Sequence, residues 1–286
     1  MILVTTAGKV GSHAARLLAA AGHEVRVVTR SPDAHAALRQ DGIEMFVGDL
    51  EDPGSVVRAL SGVSSVVLVT APHLDQERNV VNASSSAGVE HIIKVTTEAS
   101  ADSPIARRRV HHAVELTLAG SGIAHTLLRS NAYMQNILLL GPMIAATSRF
   151  SSPAAAGRIG MIDARDVAAA AVAIAGAAVP AVHAGKTYRL SGPDAISYDD
   201  VADRLTSLLG RPVLHEWITT AEQEAILLDR GMPAPVARAN AQALSLFAEG
   251  DSDWVTTDIH DLLGRPPVSF ADFAAEHLGT FARHTI

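Results

Sequence analysis

The sequence predicts an α/β fold: a doubly wound parallel sheet with a smaller, mostly helical C-terminal lobe. Three observations predict it. Short apolar runs alternate with helical patterns through the first half, a small-residue turn joins the first run to the first helix, and helices dominate from about residue 197 onward. Repeated β-α-β units of this kind favour a parallel sheet that is covered on both faces and wound with right-handed crossovers.

The strands of the predicted sheet are short β-branched or leucine-rich runs, which is typical of strands buried on both faces. In chain order they cover residues 2–5, 24–28, 44–47, 65–69, 91–95, 125–128 and 186–190. Helical patterns lie between them. Two of these begin with a cap residue followed by proline at the first helical position, at Ser31-Pro32 and Asp52-Pro53.

The regular alternation ends after residue 128. A loop and a helix are predicted over 129–150, a connector rich in Ser, Pro and Ala over 151–157, and a long Ala/Val helix capped by Asp166. We expect a sheet domain built from residues 1–130 and 158–192, and a lobe built from residues 131–157 and 193–286. The later helices are predicted over residues 198–209, 221–230, 235–247 and 270–281.

Composition narrows the class of protein. Of 286 residues, 48% are hydrophobic and 19% are charged, which indicates a globular chain. The absence of cysteine excludes disulfides, thiol catalysis and Cys-ligated zinc, and the 13 histidines lack ligand spacing, so we expect no metal site. A net charge of −7 argues against direct nucleic-acid binding. No apolar run is long enough for a membrane span, and the first strand leaves no room for a secretory signal, so a cytoplasmic protein is expected.

The turn after the first strand predicts a dinucleotide site of the Rossmann type. Strand, glycine turn and helix N-terminus follow one another directly, with Gly8 and Gly11 in the turn. Glycine lets the backbone approach a pyrophosphate, and the unpaired amides of the helix stabilise its negative charge. The predicted contacts in this turn are Thr5, Gly8, Lys9, Val10 and Gly11.

The residue at the end of the second strand indicates which coenzyme binds. An acidic residue there would bind the ribose hydroxyls of NADH, whereas this chain has Arg30, followed by Ser31. A guanidinium suits a 2′-phosphate, so NADPH is preferred over NADH, although an exposed arginine with no ligand is the alternative. Asp49 either contacts the adenine or caps the next turn. The other predicted coenzyme contacts follow later strands and are Leu50, Thr70, Ala71, Pro72 and Thr96.

Taken in order along the chain, these motifs resemble the NmrA-like group of atypical short-chain dehydrogenases/reductases, nearly from end to end. The resemblance implies an NAD(P)-binding Rossmann-like domain with a substrate-binding lobe, in a family that contains both reductases and redox-sensing regulators. Besides the glycine turn, the matching stretches are Val28–Pro32, Gly48–Leu50, Ile93–Thr96, Thr126–Asn136, Ile162–Ala168, Gly185–Tyr188, Leu190–Pro193 and Leu263–Phe270.

Two departures from the pattern of that group bear on activity. The first of three turn glycines is replaced by Thr5, or else the loop is one residue shorter. The tyrosine and lysine of short-chain dehydrogenases align with Arg107 and His111, and neither of these supplies a phenol. Proton delivery would then fall to another group.

The candidates for chemistry lie beside the expected nicotinamide end of the site. His111 is the candidate proton donor and is preferred over His112, although a histidine on a helix is more often structural. Thr97 is a candidate donor to a substrate carbonyl. Tyr133 is either a phenolic donor or, as we favour, an aromatic wall for a planar substrate. With Tyr133, the residues expected to contact the substrate are Met134 and Asn136.

The sequence therefore predicts an NADPH-dependent oxidoreductase that reduces a small planar substrate, aromatic or quinone-like, by hydride transfer. Two alternatives remain: a non-catalytic sensor of NADP(H), and a non-redox isomerase or cyclase. We expect a small-molecule substrate as the partner, no membrane, and a monomer or homodimer.

Overall fold

The computed structural model describes residues 1–71, 73–177 and 180–282 of the chain. The chain divides into two compact units. The first contains residues 1–130, 164–189 and 258–264, and the second contains residues 131–163, 190–257 and 265–286. Within the described ranges, no helix combines the length and apolarity that a membrane crossing would require.

The first unit is built on a seven-stranded parallel sheet with the strand order β3-β2-β1-β4-β5-β6-β8. The chain moves outward from β1 to β3 on one side and from β4 to β6 on the other, so the order reverses between β1 and β4. The strands are β1 (Ile2–Val4), β2 (Val25–Thr29), β3 (Glu44–Val47), β4 (Ser65–Leu68), β5 (His91–Thr96), β6 (Ala124–Ser130) and β8 (Thr187–Leu190).

Helices cover both faces of this sheet. One layer consists of α3, α4 and α5, and the other contains α1, α7 and α11. Leu3, Val66 and Ile92 pack in one core cluster with the helices of the first layer, and the next residue along each strand faces the other way. The helices are α1 (Lys9–Ala20), α2 (Ala36–Gln40), α3 (Pro53–Ala59), α4 (Leu74–Ala87), α5 (Ala106–Gly120), α7 (Ala164–Ala175) and α11 (Asp258–Leu263).

Both the seven predicted strands and the Rossmann-like α/β class are therefore confirmed. Three stretches differ from the expected division: residues 158–163 and 190–192 belong to the second unit, and α11 belongs to the first. Its Ile259 is buried, and the carboxylate of Asp258 accepts a 2.6 Å hydrogen bond from the backbone N–H of Arg189 in β8. This pairing between residues 69 positions apart has no local sequence signal.

The second unit is mostly helical and has its own core. Phe150, Phe270 and Phe273 lie at its centre with Leu205 and Val201. It also contains a two-stranded parallel sheet that the sequence did not predict, formed by β7 (Arg149–Ser152) and β9 (Leu214–Trp217). Its helices are α6 (Gly141–Thr147), α8 (Tyr198–Leu209), α9 (Thr220–Asp229), α10 (Ala234–Ser245), α12 (Phe270–Glu276) and α13 (Leu278–Phe281).

A serine, a histidine and an aspartate join this small sheet to α8. The His215 ring lies 2.8 Å from the Ser152 hydroxyl through Nε2 and 2.8 Å from Asp199 through Nδ1. The same ring stacks on Phe150 with a centroid separation of 5.1 Å. Ser152 is only 3% exposed. The three residues thus have the connectivity of a hydrolase triad, but the serine is closed to a substrate and the arrangement cross-links the unit.

Candidate functional site

The carboxyl ends of β1 and β4 meet where the strand order reverses, and in open α/β sheets this is where ligands bind. The turn after β1 enters α1 here. A Cβ added at Gly11 would lie 1.9 Å from the backbone oxygen of Thr6, so this glycine lets the helix pack against the turn. Among the residues that the structure describes, a Cβ at Gly8 would meet only the Thr6 hydroxyl, at 3.7 Å. Gly8 therefore borders open space, which a ligand can approach.

The side chain of Thr5, at the start of this turn, is accommodated within the sheet. Thr5 is fully buried, and its hydroxyl accepts from the Val69 N–H at 2.9 Å and donates to the Val69 oxygen at 2.8 Å. The hydroxyl of Thr6 donates to the same oxygen at 2.8 Å. Thr5 thus fixes the turn to the segment after β4 through its bonds to Val69, and its buried side chain is not placed to touch a coenzyme directly.

The first turn of α1 presents backbone N–H groups that can bind an anion. Among the described residues, no side chain caps this helix, whose N-cap is Gly8, and no acidic residue lies in its first turn. Unlike α1, α8 and α9 carry complete capping boxes. Of these two predicted contacts, Lys9 is exposed and Val10 is buried. Val10 can therefore contact a ligand only through its backbone. The first N–H groups of a helix have no intrahelical acceptor, so α1 presents donors where a pyrophosphate is expected.

Arg30 and Ser31 follow β2 at the same edge of the sheet, and both are exposed. Ser31 donates its backbone N–H to the Thr29 hydroxyl at 3.1 Å, which fixes the turn. Within the described part of the chain, the Arg30 guanidinium makes no hydrogen bond or ion pair, so it is available to an anionic ligand. By contrast, the guanidinium of Arg26, which lies within β2, binds the Glu44 carboxylate at 2.8 Å.

Asp49 and Leu50 follow β3 and have structural environments. The Asp49 carboxylate accepts from the backbone N–H of Glu51 at 2.9 Å, which is the capping interaction considered as the alternative to an adenine contact. Leu50 is buried in the core beneath α3, so only its backbone can reach a ligand. The place of both residues in a coenzyme site remains a prediction.

The segment after β4 is held by a buried ion pair. Thr70 donates its hydroxyl to the carboxylate of Glu77, in the first turn of α4, and Glu77 accepts a 2.8 Å bond from the ammonium of Lys94. Both charged side chains are fully buried. Burial lowers the pKa of Lys94 from its ordinary value, and the charge of Glu77 opposes that shift. Ala71 is exposed beside Thr70, and Pro72 lies outside the described residues.

The residues at the end of β5 divide between a buried and an accessible position. Thr96 is buried, and its hydroxyl lies 3.5 Å from the Glu115 carboxylate of α5, which also binds Arg129 of β6 at 2.6 Å. Thr97 is half-buried. Among the described residues its hydroxyl has no partner, so Thr97 retains a free donor at the edge of the sheet.

The environment of His111 does not fit the expected proton donor. The residue is 5% exposed, and its Nδ1 has no hydrogen-bond partner among the described residues. Burial, followed by the positive charges of Lys94 and Arg107, lowers the pKa of His111 to about 3. The imidazole is therefore neutral at physiological pH. An imidazolium that does not form cannot deliver its proton, so this environment does not favour the predicted role of His111.

The predicted substrate residues Tyr133, Met134 and Asn136 belong to the second unit. Tyr133 is half-buried and Asn136 is exposed. Met134 is 1% exposed and packs in the core of that unit, so it does not present a side chain to a ligand. Its long apolar side chain fills space near Gly192, which explains why a residue in a matching motif is nevertheless structural.

A cavity of about 400 Å³ lies at the opposite edge of the sheet, at the amino ends of the strands. Its lining includes Met1, His23, Glu24 and His91, and no residue predicted for the site. Over the described residues there is no group of three or more histidines or carboxylates arranged to hold a metal ion. The carboxyl edge of β1, β2, β4 and β5 thus remains the place where the predicted residues converge.

A model of the NmrA-like family matches residues 1–263 of the sequence. This chain belongs to the NmrA-like family. The resemblance read from the ordered motifs is therefore confirmed.

Similar proteins match almost the whole chain. The (4-alkanoyl-5-oxo-2,5-dihydrofuran-3-yl)methyl phosphate reductase of Streptomyces griseus is 34% identical and covers 99% of this chain and 99% of its own. The NAD(P)H azoreductase of Xenophilus azovorans is 31% identical, with 98% and 99% covered. The solved structure of an NADPH-dependent quinone oxidoreductase from Escherichia coli in complex with NADPH is 29% identical. Its TM-score is 0.87, and 98% of this chain and 100% of that chain are covered.

Proposed function

We propose that this chain is an NADPH-dependent reductase of a small planar substrate, quinone-like or aromatic. The observation that carries the proposal is the turn at the strand-order reversal, where Gly8 leaves open space before the uncapped N-terminus of α1. Named relatives at 29–34% identity reduce a quinone, an azo compound and an acylated dihydrofuranone phosphate. All three kinds of substrate carry an electrophilic conjugated system.

The residues present fit a bound dinucleotide phosphate. The backbone of Gly8, Lys9 and Val10 would hold the pyrophosphate, and the Arg30 guanidinium would bind the 2′-phosphate by charge-assisted hydrogen bonds. Ser31 lies beside Arg30 and would add a hydroxyl donor. Preference for NADPH over NADH rests on this pair.

When bound, NADPH supplies the hydride that reduces the substrate. This chain contributes orientation and a hydrogen-bond donor. The Thr97 hydroxyl would donate to a substrate carbonyl, which stabilises the negative charge that develops there. Because His111 is neutral and buried, we assign the proton to solvent and not to this imidazole. Tyr133 would form an aromatic wall against a flat substrate, and Asn136 would add a polar contact.

The proposal is tested by following NADPH oxidation at 340 nm with menadione, a naphthoquinone panel and an azo dye. Turnover with at least one of these acceptors is expected. Binding of NADPH without turnover on any acceptor would favour the sensor, a candidate supported by the absence of tyrosine from α5 and by the neutral His111. Absence of binding by either dinucleotide would leave the non-redox alternative.

Coenzyme preference is tested with Arg30→Glu. A hydrogen bond to a charged group contributes about 1.5–3 kcal/mol, so the Kd for NADPH should rise about tenfold to a hundredfold. The Kd for NADH should change much less, because NADH lacks the 2′-phosphate. Arg39→Glu is the matched control, since Arg39 is also exposed and lies in the last turn of α2. Equal losses for both coenzymes would remove the 2′-phosphate argument.

A further inference from the structure

The ion pair between Glu77 and Lys94 is an unusual feature for the interior of a parallel sheet. Lys94 follows Ile92 by two residues in β5, so its side chain points to the α4 and α5 face. Its ammonium meets the Glu77 carboxylate at 2.8 Å, and both side chains are fully buried. Buried ion pairs often contribute less stability than apolar residues of the same volume, because desolvation offsets the attraction between the charges. A role other than stability is therefore expected.

The pair acts on a short segment at the predicted coenzyme site. Glu77 accepts the hydroxyl of Thr70, which stands two residues beyond the end of β4. The preceding residue, Val69, is held from the other side, because its N–H and its oxygen both bond to the Thr5 hydroxyl. The backbone is thus fixed at Val69 by β1 and the side chain is fixed at Thr70 by α4 and β5.

The geometry of Glu77 shows that the pair is oriented toward Thr70. Its Oε1 receives both the Thr70 hydroxyl and the Lys94 ammonium, while Oε2 is buried and has no partner among the described residues. Arg129, a nearby cationic group on this face, is bound to Glu115 at 2.6 Å, and Glu77 is the carboxylate that Lys94 contacts.

We infer that Glu77 and Lys94 are positioning residues for the coenzyme: the ion pair holds Thr70, and through it the Val69–Ala71 segment, in the conformation that receives NADPH. Lys94 fixes the Glu77 carboxylate, and the carboxylate fixes the Thr70 hydroxyl. Neither charged residue touches the ligand. The inference rests on the proposed function, since it concerns the same site.

The decisive variant replaces both charges with apolar side chains of similar size, Glu77→Leu with Lys94→Met. Such a replacement is often neutral or stabilising, so the double variant is expected to keep a melting temperature close to that of the unaltered chain. Its Kd for NADPH should nevertheless rise about tenfold, because Thr70 has lost its acceptor. A merely structural pair would move the two measurements together.

Thr70 variants test the path by which the pair acts. Thr70→Val should raise the Kd for NADPH to about the same extent in the unaltered chain and should add little in the double variant, because the lost interaction is the same. Thr70→Ser is the matched control that keeps the hydroxyl and should restore affinity. A full additional loss from Thr70→Val in the double variant would mean that Thr70 binds the coenzyme directly, without help from the pair, and would overturn the inference.

The readouts are the Kd for NADPH from calorimetry and the melting temperature, measured for each variant. The Thr70 variants leave the core untouched, so an unchanged Kd in Thr70→Val would overturn the inference even if the double variant does not fold. Unchanged affinity in a folded double variant would do the same while leaving the proposed function intact. If the unaltered chain binds no NADPH, the proposed function fails first and the inference fails with it.

Discussion

Two glycines three residues apart in the first turn make different demands on the chain, and alanine substitution separates them. At Gly8 the backbone has φ −72° and ψ −168°, which any residue adopts. Within the described part of the chain, a Cβ there meets nothing closer than 3.7 Å. At Gly11 a Cβ would stand 1.9 Å from the Thr6 carbonyl oxygen and 3.3 Å from Val4. That oxygen belongs to the backbone, so the clash is relieved only by moving the turn or α1.

The expected magnitudes follow from these distances. Gly11→Ala overpacks the junction of strand and helix, which costs about 1–3 kcal/mol of folding free energy. At about 2–4 °C for each kcal/mol in a domain of this size, the melting temperature should fall by roughly 2–12 °C. Gly8→Ala should leave the melting temperature within about 2 °C, since substituting an exposed, unstrained position typically changes stability by less than about 0.5 kcal/mol.

For NADPH affinity, the variant with the direct effect is expected to be Gly8→Ala, the one that leaves stability unchanged. Gly8→Ala places a methyl group in the open space before the helix N-terminus, where the pyrophosphate is expected, so its Kd for NADPH should rise at least about tenfold without loss of stability. The assays are differential scanning calorimetry and NADPH titration. A Gly8→Ala chain that binds NADPH as tightly as the unaltered chain would refute the placement of the pyrophosphate. A Gly11→Ala chain with unchanged stability would refute the packing role.

Further outcomes are expected at Thr5, at His111 and at the pair of Ser152 and His215. Thr5→Val removes two hydrogen bonds to Val69 and should lower the free energy of unfolding by about 1–3 kcal/mol in denaturant titration, whereas Thr5→Ser should retain most of it. The pKa of His111 lies near 3 in the folded chain and near 6.5 in the unfolded chain. Its contribution to the free energy of unfolding is therefore complete above pH 6.5. It is lost as the pH falls toward 3, by about 1.4 kcal/mol per pH unit, and His111→Asn should flatten that part of the stability profile; an unchanged profile would contradict the neutral state. His215→Phe should lower the melting temperature, and Ser152 should resist a fluorophosphonate probe in the folded protein; rapid labelling would show that the serine is accessible.

The sheet was predictable because its signal is local. The strands are runs of three to seven residues, those at the centre of the sheet consist mainly of Val, Ile and Leu, and the period changes to a helical one between the runs. The small sheet of β7 and β9 was missed because its strands read Arg-Phe-Ser-Ser and Leu-His-Glu-Trp, with no alternation and little apolar content. These strands pair because Phe150 is buried in the core of the second unit, which is a tertiary effect.

The candidate site was predictable only at positions that the local sequence pattern places at the ends of strands. The glycine turn and the exposed Arg30 lie at strand ends that local pattern defines. The environments of His111, Thr5 and Met134 depend on packing between distant segments, so the sequence did not indicate that all three are buried. A signal for the pair of Glu77 and Lys94 did exist, because a lysine inside the apolar run Ile92-Ile93-Lys94-Val95 must find an anion when the strand is buried.

The hydrogen-bonded trio around His215 bears on how enzymes are recognised from geometry. A search for a serine, an imidazole and a carboxylate at bonding distance would select this unit as readily as it selects a protease. A serine acts as a nucleophile only when its hydroxyl is accessible to a substrate, and here the Ser152 side chain is buried. In this protein, the hydrogen-bonded serine, histidine and aspartate stabilise the second unit, and geometry alone would have assigned them to catalysis.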